Sequence, residues 1–304
     1  MERETKVIKH RQFMPTEESQ LSFLWLEITG KCQLECAHCY ADSGPTKSHG
    51  LMSCRDWERV IDDAAKIGVK SIQFIGGEPT LHPDFTSLLK RAVKRGLNVE
   101  VFSNLVNIKP ALWELFKWSR VSLATSWYSD QAEDHERVTN RRSFESTKNN
   151  IRKAISLGIP IRVGVIGVHE NQRVKEARQM LIDLGVNEKN IGYDDLRQVG
   201  RGVRNSDPSF DQLCGNCANG VLAISPNGVV WPCVFSRWIP LGNVLNQTLS
   251  EIIASKVVRD KCKELKQFFQ SKDLWPCEPK CSPRCSPSCS PCAPGNRCWP
   301  YYDD

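Results

Sequence analysis

Residues 21–198 alternate short apolar runs with amphipathic stretches, and no other feature limits the fold as tightly. "LSFLWLEIT" (21–29), "SIQFIG" (71–76), "NVEVFSN" (98–104), "VSLATSWY" (121–128), "PIRVGVIGV" (160–168) and "IGYDDLRQ" (191–198) are rich in strand formers. Between them, residues 56–68, 84–96, 110–119, 143–158 and 173–185 carry helical spacing, and most of these segments close on a glycine. Six strands alternating with five helices predict a parallel α/β sheet. Six units are fewer than a closed eight-stranded barrel needs, so a partial barrel and a doubly wound sheet both satisfy the pattern. In either, function gathers at the C-terminal ends of the strands.

That rule puts every unusual stretch on one rim. Cys32, Cys36 and Cys39 follow the first strand, and "GGEPT" (76–80) follows the second. Ser103 and Asn104 end the third, "SWYS" (126–129) the fourth and "LRQVGRG" (196–202) the sixth. The N-terminus is charged, without the apolar core of a signal peptide, and no run approaches a membrane span. A cytoplasmic location is therefore expected. In a reducing compartment cysteines, 14 here, are expected as thiolate ligands or catalytic groups rather than as a disulfide framework. The net charge of +6 is spread over scattered basic residues, too thinly for a nucleic-acid surface.

Three thiolates in eight residues suit zinc or an iron–sulfur centre. Zinc would need a fourth ligand, His38 or a distant residue. A cubane held at three corners would leave one iron open to an external chelating ligand. Spacing alone leaves both readings standing.

The Cys-x3-Cys-x2-Cys run followed by Tyr40, together with "GGEPT" after the second strand, resembles the radical S-adenosylmethionine (SAM) superfamily over roughly residues 21–200. The resemblance implies a partial (β/α)6 barrel whose Cys32, Cys36 and Cys39 hold a [4Fe–4S] cluster. It implies S-adenosyl-L-methionine on the fourth iron, backbone contacts at Gly76 and Gly77, and the Glu78 side chain facing the cofactor's ammonium. Pro79 would stiffen that turn. Further cofactor contacts are implied at Ser103, Asn104, Ser126 and Arg197, with Tyr40 beside the adenine. The reaction implied is reductive cleavage to methionine and a 5′-deoxyadenosyl radical that takes a substrate hydrogen. "VGVIGVHEN" (163–171) shifts the glycine spacing of the family's fifth-strand adenine motif, so Val165 and Ile166 are assigned no role.

After the polar stretch 202–210 the chain changes character. "LCGNCANGVLAISPNGVVWPC" (213–233) reads as a hairpin about "SPNG" (225–228). With "LGNV" (241–244) and the later cysteines it resembles the SPASM extension of radical SAM enzymes. This implies two auxiliary [4Fe–4S] clusters using Cys214, Cys217, Cys233, Cys289, Cys292 and Cys298. The run departs from the extension's usual ending, and Cys277, Cys281 and Cys285 are expected to supply the missing ligands. The tail has too few apolar residues to order itself by burial, so ligation would have to fold it. The expected organisation is an N-terminal extension (1–20), a barrel (21–204) and a small cysteine-rich SPASM-like domain (205–304). Cys54 and Cys262 are expected to ligate nothing.

The resemblance implies an oxidoreductase that crosslinks, epimerises or oxidises a residue of a ribosomally made peptide. A decarboxylase, epimerase or dehydrogenase acting on a small natural-product intermediate is the alternative. A non-catalytic iron–sulfur or zinc carrier would have no use for "GGEPT". About 20 residues precede the first strand, so either a separate peptide-recognition protein or direct peptide binding is expected, along with a reductant such as flavodoxin or ferredoxin. Neither nucleic acid nor a membrane is expected as a partner.

Overall fold

The computed structural model describes residues 20–205 and 207–271. Six strands run parallel: β1 (Phe23–Thr29), β2 (Ser71–Gly76), β3 (Asn98–Phe102), β4 (Val121–Trp127), β5 (Ile161–Gly167) and β6 (Ile191–Asp195). Helices α1 (Cys54–Lys66), α2 (Phe85–Lys94) and α3 (Pro110–Phe116) make the first crossovers. Then α4 (Ala132–Thr139) and α5 (Phe144–Ser156) follow β4, and α6 (Val174–Asp183) follows β5. The five expected helices are present within a few residues of their expected ends. Local chemistry sets some of those ends: Ser53 and Asp56 form a reciprocal capping box that starts α1.

Helix α4 was not expected. It buries only His135, Val138 and Thr139, so its sequence "AEDHERVT" carries almost no apolar periodicity. It ends at Asn140 in the left-handed conformation, φ 53°.

The strand order is β6-β5-β4-β3-β2-β1-β7-β8-β9, and it leaves β6 and β1 unjoined. Trp25, Gln73, Phe102, Ser126, Arg162 and Asp194, one from each of β1 to β6, nevertheless line one cavity. A doubly wound sheet would carry a helix layer on that face. The sheet is instead curled into a partial barrel. The outer face packs on the helices: Phe85 of α2 meets Phe74 of β2 edge-on, ring centroids 5.8 Å apart, and Trp57 of α1 and Leu88 of α2 are buried in the same apolar core.

The second zone is continuous with this sheet. β7 (Val221–Ile224) pairs parallel to β1, from Phe23↔Val221 to Leu26↔Ile224. β8 (Val229–Trp231) returns antiparallel, as the hairpin signature predicts, and β9 (Gly242–Asn243) extends it. Helices α7 (Leu249–Ile253) and α8 (Lys256–Ser271) complete the described chain.

A buried ion pair fastens the two zones. Glu27 of β1 is fully buried and accepts from Arg237 Nη1 through both oxygens, at 2.7 and 2.8 Å. The guanidinium lies 4.2 Å from the centroid of the Trp231 ring. Burial raises the Glu27 pKa while Arg237 opposes the rise. Arg237→Met would strand a buried charge and is expected to cost about 3–5 kcal/mol. Adding Glu27→Gln should recover much of that loss. Denaturant unfolding of the single and double variants checks this; a double variant no more stable than Arg237→Met would sink it.

Candidate functional site: two thiol groups on one cavity

The loop after β1 carries Cys32, Cys36 and Cys39 to the mouth of the barrel, where all three line the cavity. Backbone N–H groups aim at two of the sulfurs: Leu34 N donates to Cys32 Sγ at 3.4 Å and Ser43 N to Cys39 Sγ at 3.3 Å. Asn104 Nδ2 also donates to Cys32 Sγ, at 3.5 Å. Burial, reinforced by the Glu78 carboxylate, pushes the Cys32 thiol up to about 12. Burial raises Cys36 as well, with Cys39 and Cys32 adding to it. Thiols in such surroundings ionise when a cation binds them, so metal uptake is coupled to proton release.

The turn after β2 closes one wall of this loop. Gly76 has φ +122°, and a side chain there would run into the Thr29 carbonyl. A Cβ on Gly77 would land on the Lys31 carbonyl, one residue before Cys32. Gly77 N donates to Thr29 O at 2.7 Å and Glu78 N to Lys31 O at 2.9 Å. The two glycines thus let the turn and the cysteine loop lie backbone against backbone, and both line the cavity.

Glu78 and Ser103 depart from expectation. The Glu78 carboxylate is wholly buried and accepts from Thr80 N, Thr80 Oγ1, Ser103 Oγ and Asn104 N, at 2.6–3.1 Å. A buried carboxylate needs such donors. They tie it to the turn and to the end of β3, and neither Glu78 nor Ser103 is among the residues lining the cavity. Burial raises the Glu78 pKa and these hydrogen bonds oppose it. Pro79 is buried in the 3-10 turn Pro79–Leu81 and does not line the cavity either. Asn104, Ser126, Tyr40 and Arg197 do line it. The Tyr40 ring packs edge-on to Phe235 at 5.2 Å. Along "SWYS" the side chains alternate: Ser126 and Tyr128 line the cavity, whereas Trp127 and Ser129 are buried away from it.

His38, the candidate fourth zinc ligand, instead packs edge-on against Tyr128, with ring centroids 5.1 Å apart. Among the described residues no three His, Cys, Asp or Glu side chains close around a single-ion site. The loop thiols are arranged around a cavity instead. Three thiols with N–H donors at two of them, beside a side-chain-free glycine wall, fit a cubane held at three corners.

A second thiol group faces the same cavity. Cys217 Sγ lies 3.3 Å from Cys233 Sγ, and Cys214 hydrogen-bonds to Cys217. Hydrogen bonds that the Cys217 thiol makes to Cys214 and Cys233, with burial, raise its pKa well above the ordinary thiol value. Cys277, Cys281, Cys285, Cys289, Cys292 and Cys298 lie outside the described residues. Cys262 is half-buried on α8 and Cys54 half-buried at the start of α1, its Sγ 3.8 Å from Ser87 Oγ.

The barrel lumen holds polar residues that the motifs did not flag. Gln73 donates to Glu100, which also accepts from Arg162 Nε and Nη2 at 2.8 Å each. Asp194 and His135 line the cavity as well. The signal was present in the strands. "IQFI", "VEVF" and "PIRVGV" each set one polar side chain among apolar ones, and a parallel sheet is buried on both faces. Asp194 Oδ1 accepts from Arg197 Nη2 at 3.2 Å and from Asp195 N at 3.0 Å. Burial pushes the Asp194 carboxyl up to about 7, against the pull of Arg197. An acid whose folded pKa is raised holds its proton more tightly when folded. Its stabilising contribution is complete below about pH 4, the unfolded value, and is lost as pH climbs to about 7. Asp194→Asn is therefore expected to flatten the fall of Tm between pH 4 and 7; an unchanged slope would reject this.

The radical SAM superfamily profile matches residues 26–183, just over half of the chain. The chain belongs to the radical SAM superfamily. A second profile, SPASM, an iron–sulfur cluster-binding domain, matches residues 214–293 of this radical SAM protein. It is 26% identical to the antilisterial bacteriocin subtilosin biosynthesis protein AlbA of Bacillus subtilis, over 76% of this chain and 59% of that one. It is 27% identical to the PqqA peptide cyclase of Granulibacter bethesdensis, over 66% of this chain and 54% of that one. The chain thus spans somewhat over half the length of these relatives. Streptococcus suis SuiB, in its crystal structure bound to the precursor peptide SuiA, has the same fold. Its TM-score is 0.66 at 14% identity, covering 80% of this chain and 67% of that one. No helix among the described residues of this radical SAM chain is long and apolar enough to cross a membrane.

Proposed function

We propose that the protein is a radical SAM enzyme that modifies a residue of a ribosomally made peptide. The observation that carries this reading is the single cavity lined at once by Cys32, Cys36 and Cys39 and by Cys214, Cys217 and Cys233. Cys32, Cys36 and Cys39 would hold a [4Fe–4S] cluster, and Gly76, Gly77, Asn104, Ser126, Tyr40 and Arg197 would line the S-adenosyl-L-methionine site. When bound, these groups supply an electron and a 5′-deoxyadenosyl radical. The chain's own residues do the rest. Gly76 and Gly77 give backbone access, Glu78, Pro79 and Ser103 fix the turn, and the buried lumen excludes water. Cys214, Cys217 and Cys233, with partners among Cys277, Cys281, Cys285, Cys289, Cys292 and Cys298, would hold auxiliary clusters able to accept the electron released when a substrate radical is oxidised. The same reading keeps an N-terminal extension over 1–20, a barrel over 21–204 and a SPASM-like domain over 205–304. It takes a cytoplasmic setting, a flavodoxin or ferredoxin as reductant, and a separate peptide-recognition protein. The names of AlbA, the PqqA peptide cyclase and the SuiB–SuiA complex support a peptide substrate.

The test is anaerobic incubation with S-adenosyl-L-methionine, a reductant and the peptide encoded nearest the gene. The expected result is loss of about two hydrogens from the peptide or deuterium uptake from solvent, read by mass spectrometry. An unchanged peptide, with a small metabolite giving substrate-dependent 5′-deoxyadenosine, would replace this reading with the small-molecule alternative.

A further inference from the structure

The segment after β6, "LRQVGRG" (196–202), contributes more than Arg197. Its second arginine grips the cysteine loop from a distance of about 160 residues in sequence. Arg201 N donates to Cys39 O at 3.0 Å, and Arg201 Nε donates to Cys36 O at 3.0 Å. Its Nη2 donates to Ser43 O at 2.5 Å, and its Nη1 meets Asp42 Oδ1 at 2.9 Å. Arg204 Nη2 adds a bond to Ala37 O at 3.3 Å. The carbonyls of two of the three loop cysteines are thus held by one residue. Both carbonyls also accept within the loop, from Cys39 N at 3.1 Å and Asp42 N at 3.2 Å, so Arg201 is their second donor and joins the turned loop to the segment after β6.

The flanking glycines make the grip possible. Gly200 has φ +59°, and a Cβ there would collide with the carbonyls of Cys39 and Tyr40. A Cβ on Gly202 would collide with the Arg197 carbonyl, folding the segment back on itself. The Gly-Arg-Gly triplet is therefore a backbone-to-backbone clasp with a guanidinium at its centre. The fork is the part lysine cannot copy: a guanidinium reaches a carbonyl, a second carbonyl and a carboxylate in fixed directions at once, whereas an ammonium is a single point.

We infer that Arg201 is a positioning residue for the loop of Cys32, Cys36 and Cys39, setting the placement of the cluster that this loop would hold and, through it, the affinity for S-adenosyl-L-methionine. The inference rests on the proposed radical SAM activity. Groups that orient metal ligands from behind are worth about 10–100-fold in affinity or activity.

The experiment compares Arg201→Gln and Arg201→Lys with wild-type holoenzyme that forms 5′-deoxyadenosine, so failure of the proposed function shows in the wild type and not in the variants. Three quantities are read: iron per chain, the electron paramagnetic resonance spectrum of the reduced enzyme with and without S-adenosyl-L-methionine, and KM against kcat for S-adenosyl-L-methionine. Arg201→Gln is expected to keep the auxiliary share of iron, to change the cofactor-dependent spectral shift and to raise KM about tenfold or more. Arg201→Lys is expected to keep the charge but not to restore KM. It also carries the test should Arg201→Gln fail to fold. Spectra and KM equal to wild type in both variants overturn the inference. Loss of auxiliary iron in parallel with loop iron also overturns it, because that reports general unfolding rather than a displaced loop.

Discussion

Replacing Cys32, Cys36 and Cys39 together by alanine is expected to abolish 5′-deoxyadenosine formation from S-adenosyl-L-methionine and dithionite. The three thiols are all the thiol donors that the loop has, and Gly76, Gly77 and Asn104 beside them offer backbone and an amide in their place. The same variant should keep its other iron. With one cubane on the loop and two on the second zone, wild type would bind roughly 12 irons per chain and the variant roughly eight. The second zone's thiols stand on their own backbone, Cys217 and Cys233 on the segments just before β7 and just after β8, so removing the loop thiols leaves that hairpin intact. 5′-Deoxyadenosine from the triple variant would refute the site. Wild type that stays near four irons after full reconstitution would refute the pair of auxiliary clusters.

Gly77→Val is the substitution expected to do most harm without touching a ligand. Its Cβ would fall on the Lys31 carbonyl, and the next nearest atoms are backbone as well, so no flexible side chain can yield. Either the turn after β2 or the cysteine loop must move. Overpacking of this kind costs about 1–3 kcal/mol and occasionally more. If that strain is relieved by displacing the loop, binding of S-adenosyl-L-methionine should weaken by about 10–100-fold, at about 1.4 kcal/mol per tenfold. Equilibrium binding to reconstituted protein measures it. Affinity within a factor of about two of wild type would show that the glycine wall is not what the cofactor meets. Gly96→Ala is the contrast, since nothing lies near a Cβ there and the cost is confined to backbone strain at φ +83°.

The chain's own pattern made most of the scaffold legible. Apolar runs of strand length and amphipathic stretches ending near glycines marked all six barrel strands and five of the six helices among them. Helix α4 escaped because its buried face is His135, Val138 and Thr139, which carries almost no apolar period. The rim motifs were legible because cluster ligation and close backbone approach demand particular residue types at fixed spacing. The roles of Glu78 and Ser103 were less so: whether a carboxylate points into a cavity or back into its own turn depends on donors 25 residues away, at Ser103 and Asn104.

What the sequence determined by itself was the local chemistry. The period of each element, the cysteine spacing and the paired glycines after β2 are properties of neighbouring residues, and short-range sterics and ligand geometry act on them directly. Only the tertiary structure decided three things. It curled the sheet so that residues from six strands share one lumen. It added β7 beside β1, which brought Cys214, Cys217 and Cys233 to the cavity of Cys32, Cys36 and Cys39. It clasped Arg201 onto the carbonyls of Cys36 and Cys39. Each joins residues about 160 or more positions apart or spread over the whole sheet. Such contacts are selected by the packing and hydrogen-bond satisfaction of the entire chain, which no local stretch of residues encodes.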